Sequence, residues 1–269
     1  MSASEAAVRP TNSTVIDEQQ RRHFETFGYL VLRQLFSPQE VERYGTALDA
    51  ATRRLRGGGD FTGQSLERVT PLFAEEEAFC SLLDDERLLD LADALLGPDS
   101  LFTGSNDGNM YVGNTPWHID GGGANGPTLL KVTFYCDPIA EGRGGLSVLP
   151  GSHHPDYFRA LHRMFFEERS LDINNPDVPG RTSLASAPGD AILFDHRLWH
   201  SSWGGWSGRR QFAYSFAPFP RYSWEETWLH GYLVRINRRH GKRLLTEELL
   251  ETAGPRRKQK LAKLYQMGL

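Results

Sequence analysis

The stretch TLLKVTFYC, residues 128–136, decides the fold class of this 269-residue chain. Its side chains fall into two alternating sets. One set is Leu130, Val132, Phe134 and Cys136, and the other is Leu129, Lys131, Thr133 and Tyr135. Successive side chains of a strand point to opposite faces, so a period of two over nine residues predicts a β-strand.

Three more short apolar runs follow this strand, each bounded by glycine or proline. They are GGLSVLPGSH at 144–153, GDAILF at 189–194 and RRQFAYSFAPF at 209–219. No helical pattern recurs between them, which disfavours a parallel sheet with crossover helices. We therefore expect antiparallel sheets closed into a sandwich or a jelly roll.

Helical patterns lie mainly on either side of these runs. Ser37, Pro38 and Glu40 form a helix start with a capping box, and the glycines at 57–59 end that helix. A second helix is predicted over 85–96, where leucines recur at helical spacing before a glycine. The last fifty residues also have helical composition. The fold class expected is mainly β with flanking helices.

We expect residues 1–269 to form a single domain with four parts. These are a flexible segment at 1–16, a helical N-terminal part at 17–98, a jelly-roll core at 99–220 and a C-terminal helical extension at 221–269. Eleven Lys or Arg face five Glu in residues 221–269. A solvated helical face, packed on the sheet or on a second subunit, accounts for this tail better than a nucleic-acid patch.

Composition excludes several functional classes. With 39% hydrophobic and 24% charged residues and a formal net charge of −4, the chain can bury a core and lacks a dominant basic field. The N-terminus has no secretory layout, and no apolar run is long enough to span a bilayer. We expect a cytoplasmic monomer or homodimer with two reduced cysteines, Cys80 and Cys136, a small-molecule substrate, and no nucleic-acid or membrane partner.

The segment GNTPWHIDGGGANG, residues 113–126, carries the first candidate site. In an extended chain His118 and Asp120 point the same way and can hold one metal ion together. A two-histidine, one-carboxylate iron(II) site needs a further histidine from a distant strand, and His196 and His200 are candidates. Arginines follow at 209 and 210, and a guanidinium can bind the carboxylate of an anionic co-substrate through two hydrogen bonds.

The order of these motifs resembles one family. HID, GGLSVLPGSH, PGDAILF, LWHSS and RRQFAYSFA follow FETFGYLVLRQLFSPQEV, and together they cover residues 24–217. This order is similar to that of the phytanoyl-CoA dioxygenase family of iron(II)- and 2-oxoglutarate-dependent oxygenases. The resemblance implies a double-stranded β-helix, which is a cupin-like jelly roll. It also implies that His118, Asp120 and His200 hold iron(II), and that an arginine binds the distal carboxylate of 2-oxoglutarate.

Two arginines compete for this last role. The family's pattern favours Arg209, although its spacing from His200 is slightly short, so Arg210 stays open. Strand parity gives Arg209 a small, polar face and Arg210 an aromatic face, and the former suits a ligand-lined barrel better. The companions of Arg209 are Gln211, Ala213 and Ser215, and those of Arg210 are Phe212, Tyr214 and Phe216.

The resemblance extends to several further residues. Thr133 corresponds to a residue lining the 2-oxoglutarate pocket, and Asn109, Tyr111 and Trp117 are candidates for lining the substrate site. We expect the remaining histidines and one aspartate to lie outside the set of metal ligands. They are His196 beside the strand, His153 and His154 in a turn motif, and Asp190 in a turn. The stretch 156–183 is expected to form a lid.

The resemblance implies hydroxylation of an unactivated C–H bond in a small metabolite or natural-product intermediate. Iron(II) is the cofactor, 2-oxoglutarate and O2 are co-substrates, and succinate and CO2 are products. Asp120 favours hydroxylation, because related halogenases carry a small residue in place of the carboxylate. Desaturation, epoxidation or cyclisation at the same site, an acyl-CoA substrate, a redox-inert metal cupin and a binding module remain alternatives.

Overall fold

The structure is a computed structural model that describes residues 15–104, 107–110, 112–241 and 243–269. The helices are α1 (Glu18–Phe27), α2 (Pro38–Leu55), α3 (Glu77–Leu82), α4 (Glu86–Leu96), α5 (Pro155–His162), α6 (Ser223–His240), α7 (Glu247–Glu251) and α8 (Pro255–Gln266), with a 3-10 turn at Leu72–Ala74 and a π-helical turn at Arg163–Glu167. The strands are β1 (Tyr29–Leu32), β2 (Glu67–Val69), β3 (Leu101–Phe102), β4 (Asp107–Met110), β5 (Gly113–His118), β6 (Leu130–Tyr135), β7 (Leu146–Val148), β8 (Thr182–Ser183), β9 (Ala191–Asp195), β10 (His200–Gly205) and β11 (Arg210–Ala217).

Within the described residues, the strands form two sheets in which every pairing is antiparallel. The large sheet has the order β1-β9-β6-β11-β4-β2, and β3 also pairs with β11. The small sheet has the order β5-β10-β7-β8. This arrangement, with helices outside it, is the predicted jelly roll, and the expected fold class is confirmed.

Strand β6 carries the alternation of residues 128–136 on its two faces. Leu130, Val132 and Phe134 are buried in the main core beneath the helices. Lys131 and Tyr135 point from the opposite face into the space between the sheets, where they line a cavity. The apolar set of the alternation therefore faces the helices, and the mixed set faces the barrel interior.

The helix signals also hold at the residue level. Ser37 Oγ accepts the backbone N–H of Glu40, the Glu40 side chain accepts the Ser37 N–H, and α2 begins at Pro38. Helix α4 occupies the second predicted helix, with Asp85 as its N-cap. One difference lies in the N-terminal part, because β1 and β2 are strands and both join the large sheet. They are only four and three residues long, too short for a clear period.

The basic tail is held by ion pairs within the chain. On α8, Arg256 contacts Glu86, Asp90 and Asp93 of α4, and Lys260 contacts Asp93. The cations of the tail thus neutralise an acidic helix face. Among the described helices, none combines the length and the hydropathy that crossing a membrane requires.

Candidate metal centre

The structure brings His118, Asp120 and His200 together between the two sheets. His118 ends β5 and His200 begins β10, and the two residues are register partners in the small sheet. Asp120 follows two positions after His118. The candidate ligand atoms of all three side chains lie within 4.8 Å of one another. Asp120 Oδ1 is 3.9 Å from His118 Nε2, and Asp120 Oδ2 is 3.8 Å from His200 Nε2.

Backbone contacts aim these side chains. The Nδ1–H of His118 donates to the carbonyl of Pro116 at 2.9 Å, and that of His200 donates to the carbonyl of Leu198 at 2.8 Å. Both contacts fix the tautomer that leaves the Nε2 lone pair toward the shared space. The Asp120 N–H donates to the His196 carbonyl at 2.9 Å, which fixes the loop after β5. Three rigidly held donors therefore converge on one point.

Lys131 gives the cluster its electrostatic balance. Its Nζ lies 3.0 Å from Asp120 Oδ2. Burial by itself raises the pKa of Asp120, but Lys131 and the neighbouring imidazoles hold that pKa well below its ordinary value. Burial and the adjacent His118 lower the pKa of His200 to about 3. At neutral pH the cluster thus consists of a carboxylate and a neutral imidazole at His200, which are the protonation states that bind a metal.

The two candidate arginines lie in different environments. Arg209 is fully buried, lines the cavity that contains the three ligands, and donates from Nη1 to Ser202 Oγ at 2.8 Å. Arg210 instead pairs with Asp137 at 2.8 Å and with Asp49 at 3.0 Å, and hydrogen bonding to Asp137 raises its pKa. Arg210 is therefore engaged outside the cavity, which agrees with the parity argument for Arg209.

The large sheet lines the cavity with rows of register partners. One row crosses β2, β4, β11 and β6 through Arg68, Asn109, Gln211 and Tyr135, and all four line the cavity. In the next row Ala213 opposes both Asp107 and Thr133. Tyr135 also lies near Arg209, with the guanidinium carbon 5.9 Å from its ring centre. The cavity thus runs from the ligand cluster to a buried cation.

The other predicted site residues have different outcomes. Thr133 is buried on the same face of β6 as the cavity-lining Lys131 and Tyr135, but it is not itself among the residues that line the cavity. No hydrogen-bond partner is found for its Oγ1 among the described residues. Asn109 lines the cavity and accepts from Arg68 at 3.0 Å. Tyr111 lies outside the described residues. Trp117 does not line the cavity, because it occupies the opposite face of β5 from His118 and donates its indole N–H to the carbonyl of Asn175.

The segment expected to form a lid explains the position of Trp117. Helix α5 and the loop after it pack with Trp117 and Trp199 on the outer face of the small sheet. No residue of 156–183 is among the described residues that line the cavity. The lid prediction is therefore wrong for this structure: the aromatic residues of the segment cover tryptophans on the outside of the barrel.

The histidines expected outside the ligand cluster do lie outside it. His153 and His154 donate to the carbonyls of Glu25 and Thr26 and so brace the end of α1. His196 is buried next to the cluster, where Tyr232 Oη is 3.3 Å from its Nδ1, and burial lowers its pKa to about 4.

The Asp190 carboxylate is also outside the cluster. It accepts from the backbone N–H groups of Gln34 and Ala187 and from Arg33, so it fastens β1 to the turn before β9. This is the turn role that was expected for it.

The donor set and the cavity fit a metal and a dicarboxylate. Two imidazoles and one carboxylate suit a divalent iron ion and leave coordination positions open. At the far end, the buried Arg209 matches a carboxylate, and Ser202 and Tyr135 lie beside it. The Thr133 hydroxyl has no partner among the described residues and lies beside the cavity, where Thr133 is the register partner of the lining residue Ala213.

A comparison with known families decides the relationship. The family model described as "Phytanoyl-CoA dioxygenase (PhyH)" matches residues 24–211. The chain belongs to the phytanoyl-CoA dioxygenase family. Membership confirms the resemblance seen in the motifs and the prediction of a dioxygenase.

Individual relatives of this family member are distant. The Ectoine dioxygenase of Sphingopyxis alaskensis is 26% identical over 241 residues, covering 78% of this chain and 75% of the relative. The structure of HygX from Streptomyces hygroscopicus with nickel and 2-oxoglutarate bound gives a TM-score of 0.60 at 19% identity, covering 76% of this chain and 87% of that one. The epimerase SnoN gives 0.56 at 16% identity, covering 75% and 82%. Both structures share the fold.

Several cavity residues of this family member were not anticipated, and three of them lie beside predicted site residues. Lys131 and Tyr135 were part of the alternation in residues 128–136, on the same face as Thr133, so strand parity could have placed them in the site. Ser202 lies two positions after His200 on β10 and bonds to Arg209. Parity along β10 could have placed it on the same face as His200.

Proposed function

We propose that this family member is an iron(II)- and 2-oxoglutarate-dependent oxygenase that hydroxylates an unactivated C–H bond of a small metabolite. One observation carries the proposal: a His-Asp-His cluster and the buried Arg209 lie in the same cavity. When bound, iron(II) and 2-oxoglutarate supply oxidation by O2, with succinate and CO2 as products. His118, Asp120 and His200 would hold the metal.

The chain's own residues bind and orient the reactants. Arg209 would bind the distal carboxylate of 2-oxoglutarate, with Tyr135 and Ser202 beside it and Thr133 donating along the way. Lys131 holds one oxygen of Asp120 and leaves the other directed at the metal position. The buried walls from β6 and β11 keep bulk water away from this end of the cavity.

Hydroxylation is favoured over the other outcomes by Asp120 and by the named relatives. A carboxylate occupies the third ligand position, so a halide has no place there. The curated relatives are dioxygenases of ectoine, a small metabolite. SnoN is an epimerase on the same fold, so substrate placement decides the outcome, and epimerisation, desaturation, epoxidation or cyclisation is the second candidate.

The proposal includes a small polar substrate in preference to an acyl-CoA. The cavity wall that remains after the metal and co-substrate residues are assigned carries Arg68, Asn109 and Gln211, which suit a polar molecule. We also propose one domain over 1–269, a monomer or homodimer, and a cytoplasmic location. Two free cysteines, Cys80 and Cys136, agree with a reducing compartment.

Succinate formation tests the proposal. Wild-type protein loaded with iron(II) should convert 2-oxoglutarate to succinate in the presence of O2, and His118→Ala should abolish this activity because one of three ligands is lost. His154→Ala is the matched control, since His154 is exposed and its ring contacts the carbonyl of Thr26 and the ring of His153, away from the metal cluster. Absence of succinate from folded, iron-loaded wild-type protein would refute the proposed reaction, and equal losses in both variants would refute the ligand assignment.

A further inference from the structure

One side of the metal cavity carries charge that neither the metal nor 2-oxoglutarate uses. Strands β2 and β4 form this side and contribute Arg68, Asp107 and Asn109 to the wall. Arg209 lies elsewhere, just before β11. The β2–β4 side is therefore a separate polar surface within reach of the same centre.

Arg68 is held in a fixed direction, and its terminal nitrogens make no hydrogen bond among the described residues. Its Nε donates to Asn109 Oδ1 at 3.0 Å, and the two residues are register partners. Among the described residues, no carboxylate pairs with Arg68. Glu67, its neighbour on β2, pairs with Arg56. The terminal nitrogens of Arg68 thus form a planar donor pair at the mouth of the cavity.

Asp107 provides the complementary group on the same wall. Its Oδ1 accepts from Thr70 Oγ1 at 2.8 Å, which fixes the carboxylate. The second oxygen, Oδ2, has no hydrogen-bond donor among the described residues. Asp107 lies one row closer to Lys131 than Asn109 does, because Ala213 pairs with Asp107 and Gln211 pairs with Asn109. The Asp107 acceptor therefore lies deeper in the cavity than the Arg68 donor, on the side of Lys131.

The charge of the loaded site favours an anion at Arg68. The loaded site carries one net positive charge. The divalent ion, Lys131 and Arg209 are positive, and the 2-oxoglutarate dianion and Asp120 balance all of that charge except one unit. Arg68 adds one positive charge and Asp107 removes one. A substrate with a single net negative charge, or with a carboxylate and an ammonium group placed along this wall, matches the pattern.

We propose that the substrate is a small carboxylate with an amino or hydroxyl group near it. Arg68 binds the carboxylate through two hydrogen bonds, and Asp107 accepts from the amino or hydroxyl group. This inference rests on the proposed function, because it assigns the wall beside the proposed metal and co-substrate. A carboxylate is preferred to a phosphate or phosphonate because one guanidinium fork binds a carboxylate through two hydrogen bonds, and Arg68 is the one arginine of β2 and β4 among the described residues that line the cavity.

Calorimetric titration of the zinc-loaded, 2-oxoglutarate-saturated protein tests the inference without turnover. The probes are L-alanine, L-proline and 2-hydroxyisobutyrate, each paired with its primary amide, which keeps the shape and removes the negative charge. Methylphosphonate is the alternative anion. The variants are Arg68→Gln, Asp107→Asn and the control Arg54→Gln, an arginine of the adjoining surface that does not line the cavity.

At least one acid should bind one-to-one and about tenfold or more tightly than its amide, because a charge-assisted pair is present. Arg68→Gln should remove that preference, Asp107→Asn should weaken the acid, and Arg54→Gln should change neither. Acids no tighter than amides, an unchanged preference in Arg68→Gln, or binding of methylphosphonate alone would each overturn the inference. Failure of zinc or 2-oxoglutarate to bind the wild type would contradict the proposed function as well, so the two failures are distinguishable.

Discussion

Replacing Lys131 by methionine tests the electrostatics of the metal centre. Lys131 Nζ is 3.0 Å from Asp120 Oδ2, and the two side chains are only 16% and 20% exposed. Removing one partner of a buried ion pair leaves the other charge without a counter-ion and costs about 3–5 kcal/mol. Because both side chains keep some exposure, we expect the metal-free variant to lose about 2–3 kcal/mol of unfolding free energy.

Metal binding should respond in the opposite direction. A divalent ion at Asp120 supplies the positive charge that methionine lacks, and it no longer meets repulsion from the ammonium group. We therefore expect Lys131→Met to bind zinc about tenfold or more tightly than the wild type. Saturating zinc should also restore most of the lost stability, because the ion binds only the folded chain.

Urea unfolding with and without zinc measures the first effect, and competition with a chromophoric chelator measures the second. Lys131→Arg is the control, because it keeps the charge and should remain close to the wild type in both assays. Weaker zinc binding by Lys131→Met would show that Lys131 mainly orients Asp120 and would refute the competition argument. Unchanged stability of the metal-free variant would show that the ion pair contributes nothing.

Three further predictions concern the arginines, the tail and pH. Arg209→Ala should raise the KM for 2-oxoglutarate at least about tenfold, whereas Arg210→Ala should lower the thermal midpoint and leave that KM unchanged; the reverse result would place the wrong arginine in the cavity. Lys260→Met should lower the free energy of unfolding in urea by about 1–2 kcal/mol, because Lys260 is buried against Asp93. An unchanged free energy of unfolding would show that this ion pair between α8 and α4 does not stabilise the fold. Burial keeps the pKa of His200 at about 3, below its ordinary 6.5. Between these two values the His200 imidazole is protonated in the unfolded chain and neutral in the folded chain. Protonation of His200 in the unfolded chain should therefore cost the metal-free protein about 2 kcal/mol between pH 7 and pH 5, in addition to the cost from His196, whose pKa is also lowered. A His200→Asn variant with the same pH slope in urea midpoints would contradict this assignment.

Local signals predicted the parts of the fold that depend on near neighbours. The capping box joins Ser37 and Glu40, which are three positions apart, so its formation hardly depends on the rest of the chain. The alternation in residues 128–136 predicted both the strand and its two faces, and β6 carries them as expected. Strand parity likewise separated Arg209 from Arg210, because neighbours on a strand cannot share a face.

The remaining features depend on how distant segments pack. Lys131 and Asp120 are eleven positions apart across a glycine-rich loop, and their contact exists only once that loop folds back on the large sheet. Trp117 was predicted to line the substrate site, although strand parity places its side chain on the face of β5 opposite to that of His118. The lid was predicted from aromatic composition, which does not distinguish the mouth of a barrel from its outer face. There, Phe165 packs 4.8 Å from Trp199, between ring centres.

An anaerobic titration followed by admission of oxygen tests whether iron(II) and 2-oxoglutarate share the proposed site. Metal-free protein receives iron(II) and 2-oxoglutarate, and the visible spectrum is recorded before oxygen is admitted and succinate is assayed. We predict a weak metal-to-ligand charge-transfer band in the wild type, followed by succinate, and no band in His200→Ala. Folded, iron-loaded wild-type protein that gives neither the band nor succinate would contradict the proposed joint site for iron and 2-oxoglutarate.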